Sequence, residues 1–435
     1  MSATRRFWSA AELAVPAKRR LVWPAFSIAF LCLFTLFAPP GFITGMNLYL
    51  LLLVAIGWLA TRQPLDTALL WAVLPFGLVI VVGLLAGVGS DRYLYLKDAW
   101  YVSNPAVVIA VGFVLGRLLD DPARGLRAFV IGGALVALLH LSIFVRHPEL
   151  LLAAATQIRS LAGTGYYVTT LAMIVLLGWI GRWRSGLGLH PVLGGACLLF
   201  CTTSFVFSFS RTLSLVVLLG LLGVAGFFAR REWLRVGLLL LAMVAALAAL
   251  EASVDTSSLK AKNSFLGKLA RSAQEIRVED YTTVQDINLN WRGYETSRAL
   301  DTWQAGNPVQ WVFGQGFGKQ VDLGLFQNLS GDPRAAVRFI PIFHNGYVFL
   351  LVKTGVAGVA LYLAAMLYLY RVGRRAARGD PADPATRLGR ALQSSVVVLA
   401  VSTWVVAGAF NKYDMFAFLM LIGFLLAALV PPPKR

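Results

Sequence analysis

What most constrains this chain is a succession of about twelve apolar runs, each long enough to cross a bilayer. A helix needs roughly 17–25 predominantly apolar residues to traverse the hydrocarbon core. Such runs fall near 22–38, 44–61, 67–87, 100–118, 128–145, 164–180, 191–208, 212–229, 236–251, 346–370, 391–410 and 413–430, with the shortest separations at 208–212 and 410–413. With 58% hydrophobic and only 14% charged residues in 435, a soluble fold cannot hide the apolar surface. The expected fold class is an all-α polytopic membrane protein, with transmembrane helices 1–9 in residues 1–251, a long segment over 252–343, and helices 10–12 in 344–435. An even count puts both termini on one side.

The formal net charge of +18 invites a nucleic-acid reading, and its distribution removes that reading. Basic residues close to span ends are retained in the cytoplasm. The segments on the side of the termini hold 22 of the 39 Lys and Arg, among them Arg62, Arg117, Arg124, Arg127, Arg182, Arg184 and the run from Arg371 to Arg390. The short loops opposite hold 6, and segment 252–343 carries 10 that are matched by 10 acids once Glu251 is counted. Both termini are therefore expected in the cytoplasm, and most of the excess charge orients the chain in membrane lipids rather than binding nucleic acid. The first apolar run ends in Phe37-Ala38-Pro39-Pro40 without a small-x-small cleavage site, so it is expected as a retained signal-anchor helix. Cys32, Cys197 and Cys201 all lie in spans and are expected to pack, without a disulfide or a zinc site.

Ion-coupled transporters need ionisable groups along a transmembrane path, and here Lys353 and His140 are the candidates. Polar chemistry gathers instead in the long segment, whose length points to function. Residues 262–305 mix apolar positions at helical spacing with charges, as amphipathic helices at a membrane surface do, and Trp291, Trp303 and Trp311 suit that interface. A Gly-Gln-Gly-Phe-Gly stretch at 314–318 is expected as flexible backbone, followed by a polar run to Arg338. Without a preceding Rossmann strand or an acidic ribose ligand, it is not a dinucleotide site.

Three features stand at the ends of spans opposite the termini. Ser208-Phe209-Ser210-Arg211-Thr212 breaks two apolar runs, beside Thr202, Thr203 and Ser204. An arginine there either snorkels to headgroups or offers a fork of donors to phosphate among hydroxyls. Arg159, in Gln157-Ile158-Arg159-Ser160, is a similar case. His344-Asn345-Gly346 lies where the long segment re-enters the membrane. A lone histidine is most often structural, yet a neutral imidazole at this junction could accept a hydroxyl proton at neutral pH.

Residues 344–358, HNGYVFLLVKTGVAG, resemble the signature of the O-antigen ligase and O-antigen polymerase superfamily: His-Asn, apolar residues, then Gly355 and Gly358 eleven and fourteen positions after the histidine. Ser210-Arg211, the Arg292 segment running into Pro308 and Gly314–Gly318, and Arg159 with Gly163 strengthen the resemblance, which extends along nearly the whole chain. Lys353 departs from it, standing where family members often carry an acid.

The resemblance implies a GT-C-like membrane glycosyltransferase of the bacterial inner membrane. It would work at the periplasmic face, passing glycan from undecaprenyl pyrophosphate to an acceptor hydroxyl without cofactor or metal. The acceptor is a lipid A–core sugar for a ligase and another lipid-linked glycan for a polymerase. On this reading His344 is the general base, and Arg211, Arg292 and Arg159, with Asn345, bind the pyrophosphate. Arginine forks can stabilise the charge that develops on the leaving group. The first loop opposite the termini, Pro39 to Ile43, has no acid to build an Asp-x-Asp metal site, and Asp120-Asp121 falls on the other side, flanking a turn before Pro122. One dominant outer segment favours a ligase over a polymerase. A protein O-oligosaccharyltransferase and, in a different class, a lipid-glycan transporter are the alternatives.

Overall fold

The computed structural model describes residues 22–37, 43–61, 66–119, 121–152, 166–229, 283–328, 336–411 and 415–431, with isolated positions at 158, 237, 245, 249 and 281. The protein is an all-α polytopic membrane protein with one small hairpin. Its helices are α1 (Trp23–Phe37), α2 (Ile43–Thr61), α3 (Thr67–Ala86), α4 (Arg92–Leu118), α5 (Pro122–Arg146), α6 (Tyr167–Gly178), α7 (Pro191–Phe207) and α8 (Arg211–Val224). After these come α9 (Val284–Leu289), α10 (Trp291–Gln304), α11 (Pro308–Phe313), strands β1 (Val321–Asn328) and β2 (Ala336–Ile340), α12 (Gly346–Ala377), α13 (Pro384–Val405), α14 (Gly408–Asn411) and α15 (Phe416–Leu429).

Eleven of the twelve expected spans coincide with these helices. The ninth, 236–251, lies outside the described residues apart from Gly237, Ala245 and Ala249. Among the described residues, α3, α4, α5, α12 and α13 are long and apolar enough to cross a membrane. Several run past the apolar stretch because polar residues cap and extend them. Asp91 accepts from Leu94 N at 2.9 Å to start α4 eight residues before the apolar run, and Asp121 caps α5 through Ala123 N at 2.9 Å. The break at 208–210 is real: Phe209 takes φ 45°, a costly conformation for a bulky residue, and packs beside Phe144, Leu150 and Ile158.

The loops rich in arginine meet at one end of the bundle. Arg127 donates to Gly188 O at 3.0 Å and Arg182 to Ala382 O at 3.1 Å, while Arg117 donates to Val430 O at 2.7 Å and pairs with Asp66. These contacts satisfy carbonyls that helix ends leave open. Cys32, Cys197 and Cys201 are all buried, packed inside the bundle as expected.

At the other end, the part of the long segment from Thr283 onward folds over the bundle. It combines short helices with an antiparallel β1–β2 hairpin that the helical periodicity did not foretell. Asp322 binds Arg338 through Nε at 2.8 Å and Nη2 at 2.9 Å, and this pair, with Gly324 N–H, holds the Asp322 carboxyl down at about 2. Tyr294 donates to Leu323 O and Arg298 to Asp322 O at 3.1 Å, joining α10 to β1.

The Gly314–Gly318 stretch, expected as flexible, is instead a wedge hydrogen-bonded on both sides. Gln315 N donates to Val352 O at 2.8 Å, Gly316 N to Lys353 O at 3.0 Å and Phe317 N to Gly83 O at 3.0 Å, with Phe317 fully buried. Val352 and Lys353 are carbonyls that a regular helix would have paired four residues on. Gly355, at φ 65° and ψ −165°, breaks α12 there and frees them. A side chain at Gly355 would strike the backbone of Val312 and Gly314, and one at Gly316 would strike Gly87. That close approach is a physical reason for a glycine eleven residues after His344.

Lys353 completes the clamp. Its Nζ lies 2.5 Å from Asp98 Oδ2 and donates to Lys319 O, while Gly318 N donates to the same carboxylate oxygen at 2.7 Å; both side chains are fully buried. The apolar run over 100–118 leaves Asp98 outside the span. The capped extension of α4 carries it inside instead. Removing one partner of such a pair strands a buried charge, which costs about 3–5 kcal/mol. Asp98→Asn and Lys353→Met should each lower thermal unfolding of the purified protein sharply, whereas Asp98→Leu with Lys353→Met should recover much of the loss. Single variants as stable as the parent would contradict the clamp.

Candidate active site

The described histidines differ in what holds them. His140 Nδ1 meets Ser204 Oγ at 2.8 Å inside the bundle, His147 meets Glu149 at 3.1 Å on the surface, and His190 caps α7 through Val192 N at 3.4 Å. These are structural or solvated roles. His344 alone of the four pairs with a buried carboxylate: Nδ1 lies 2.6 Å from Glu295 Oε2, and the His344 backbone N–H donates to the same oxygen at 3.2 Å. Glu295 is 4% exposed and the imidazole 37%. An ionised carboxylate accepts only, so the ring donates from Nδ1, and Nε2 is the nitrogen that Glu295 leaves unoccupied. That nitrogen belongs to a side chain that solvent and substrate can reach.

Both partners are fixed by their elements. Glu295 sits on the buried face of α10, in line with Trp291 and Ala299 at helical spacing, and Tyr294 and Arg298 anchor that helix to β1. His344 immediately precedes the N-cap of α12. Asn345 is that cap, its Oδ1 accepting from Tyr347 N and Val348 N at 3.1 Å each. Its carbonyl oxygen is therefore occupied within the fold, and the residue also lines the cleft below. Tyr347 donates to Ala400 O at 2.7 Å, bringing the end of α13 beside the histidine.

Two cavities share His344 as a wall. A narrow cleft of about 10 Å³ is lined by Arg292, Thr296, His344, Asn345, Trp404 and Val405. A wider one, about 250 Å³, is lined by residues that include Trp291, Glu295, Phe343, His344, Ala407 and Asn411. Positions 292 and 296 form one edge of α10 and 291 and 295 the next, so the helix turns a different face to each cavity.

Of the residues singled out from sequence, the structure brings together His344, Asn345 and Arg292. Arg211 lines neither cavity. It opens α8 behind the N-cap Ser210, whose Oγ accepts from Leu213 N at 3.4 Å. Helix α8 runs antiparallel to α13, with Ser394 Oγ donating to Gly220 O at 2.9 Å and Gln393 reaching Phe228 O at 3.2 Å. At ~1.5 Å per residue, Arg211 and Trp404 rise to similar levels above that contact, so Arg211 flanks the site from a neighbouring helix. Arg159 lies outside the described residues. Glu295 escaped the sequence reading; its signal was an acid on the apolar stripe of a helix.

The described residues thus place an oriented histidine and an arginine together at one end of a membrane-embedded helical bundle. Residues 196–363 match the family model described as O-antigen ligase, so that stretch of the chain is similar to this family. The matched stretch contains Arg211, Arg292, Glu295, His344 and Gly355 and ends before α13. No curated protein matches the chain.

Glu295→Gln keeps the shape of the side chain and removes the charge that orients the imidazole. It should reduce glycan transfer by about 10²–10⁴-fold, the range of general acid–base help, with the donor KM little changed. A Glu295→Gln enzyme of parental kcat would remove Glu295 from the chemistry.

Proposed function

We propose that this protein is an O-antigen ligase, transferring glycan from undecaprenyl pyrophosphate to a sugar hydroxyl of lipid A–core. The observation that carries this reading is the His344–Glu295 pair beside the Arg292 cleft, within the matched family domain. His344 Nε2 takes the proton of the acceptor hydroxyl. The hydroxyl oxygen bonds to the anomeric carbon as the bond from that carbon to the pyrophosphate oxygen breaks, so the carbon inverts. Undecaprenyl pyrophosphate leaves with the bonding pair, and the proton passes from the imidazolium to water. Glu295 stabilises the imidazolium while it lasts, and Arg292 offers its fork to the developing phosphate charge. Asn345 borders the same cleft. Arg211 serves the carrier from the next helix, and Arg159 joins it in this proposal on the strength of the sequence alone.

In this proposal the site faces the periplasm from the inner membrane and both termini are cytoplasmic. The gathering of arginine-rich loops at the opposite end of the bundle supports that orientation. The single long segment between spans favours ligase over polymerase.

Purified protein incubated with lipid-linked glycan and lipid A–core should yield a larger lipopolysaccharide. Longer lipid-linked chains would make the enzyme a polymerase, and neither product would return the transporter reading. His344→Ala should lose nearly all transfer, down to a small residual rate, while the protein stays folded in the membrane. Arg211→Lys, which keeps charge and loses the bidentate fork, should lose most activity; full activity in that variant would reduce Arg211 to a headgroup contact.

A further inference from the structure

We propose that the wider cavity on the Glu295 side of His344 is the subsite for the acceptor sugar, with Asn411 and Trp291 as its recognition residues. This deepens the transfer reading above and rests on it. An inverting displacement needs nucleophile and leaving group on opposite sides of the anomeric carbon, and one base must touch the nucleophile. His344 forms a wall of both cavities, so the two sides are already divided at the base.

Charge assigns them. The cleft bordered by Arg292 suits the pyrophosphate. The wider cavity has the Glu295 carboxylate in its wall and, among the described residues that line it, no Lys or Arg, which suits a neutral ring better than an anion. Size agrees: about 250 Å³ falls below the ~300–1,000 Å³ of pockets for drug-sized ligands, which suits one sugar residue.

The lining then has the two features sugar recognition uses. Trp291 supplies an apolar indole to lie along the C–H face of a pyranose. Asn411 supplies an acceptor: its Oδ1 is buried without a hydrogen-bond partner among the described residues. A buried carbonyl oxygen left unpaired costs about 1–3 kcal/mol, and a sugar hydroxyl placed against His344 would pair it. Asn411 is held in place from α4, where the buried Asn104 Nδ2 donates to Phe410 O at 2.6 Å. Both Asn411 and the Ala407 wall lie beyond the stretch that matches the family domain.

The test is steady-state transfer with donor and acceptor varied separately, using lipid-linked glycan as donor and whichever acceptor lipid the parent enzyme elongates. Asn411→Ala and Trp291→Ala should each raise the acceptor KM about tenfold and leave the donor KM within twofold, while Trp291→Phe stays within threefold of the parent for both. An unchanged acceptor KM in the two alanine variants, or a rise confined to the donor KM, would overturn the assignment. Thermal unfolding is followed for each variant, and the two positions are separate, so a misfolded variant at one leaves the other to decide. A parent enzyme that transfers to no acceptor would instead defeat the ligase reading itself.

Discussion

The buried ion pair between Asp98 and Lys353 is the contact on which the site depends. It joins α4 to α12 and, through Gly318 N–H and Lys319 O, pins the wedge that ends the run from α10. The wedge adds to the packing that holds α10, and with it Glu295, at a fixed height above His344. A hydrogen bond of 2.6 Å between residues 49 apart in sequence needs such a frame. The break at Gly355 serves the same end, since it releases the two carbonyls that the wedge amides take. The superfamily-like spacing of histidine and glycine thus has a mechanical meaning: the catalytic candidate heads the helix, and the glycine receives the segment that brings its partner.

At the site, roles are divided by helix face and by burial. Arg292 and Thr296 look into one cleft, Trp291 and Glu295 into another, and the half-exposed imidazole stands between them. A buried acid beside a reachable base fixes the tautomer without occupying the nitrogen that must accept a proton. An arginine close by provides charge for a phosphate. The transfer proposed for this site would ask of the protein proton removal, orientation and charge stabilisation, all from side chains held by rigid elements.

Much of the fold was legible because spans announce themselves by apolar length, and His344, Asn345 and Arg292 stood out at the junction of polar segment and membrane. Asp98 was hidden because hydropathy marks where the apolar stretch begins and not where the helix does; the Asp91 cap added two turns. Glu295 was hidden because its partner is 49 residues away and only the tertiary fold brings them together. The β-hairpin went unseen because its apolar residues do not alternate cleanly between a buried and an exposed face, Phe326 and Phe339 both being exposed, and the glycine-rich wedge read as flexible because the groups that hold it, on Gly83, Asp98, Val352 and Lys353, are distant in sequence. Asn411 carried no signal at all in a single sequence, since its importance lies in an atom left without a partner.

The central claim is that His344 and Glu295 act as one base. A double-mutant cycle on the transfer rate measures this most directly, because residues that act as a unit are strongly non-additive. With His344→Ala in place, adding Glu295→Gln should cost no further rate. If the double variant is slower than His344→Ala by the full factor that Glu295→Gln costs alone, the two residues act independently and the account is wrong.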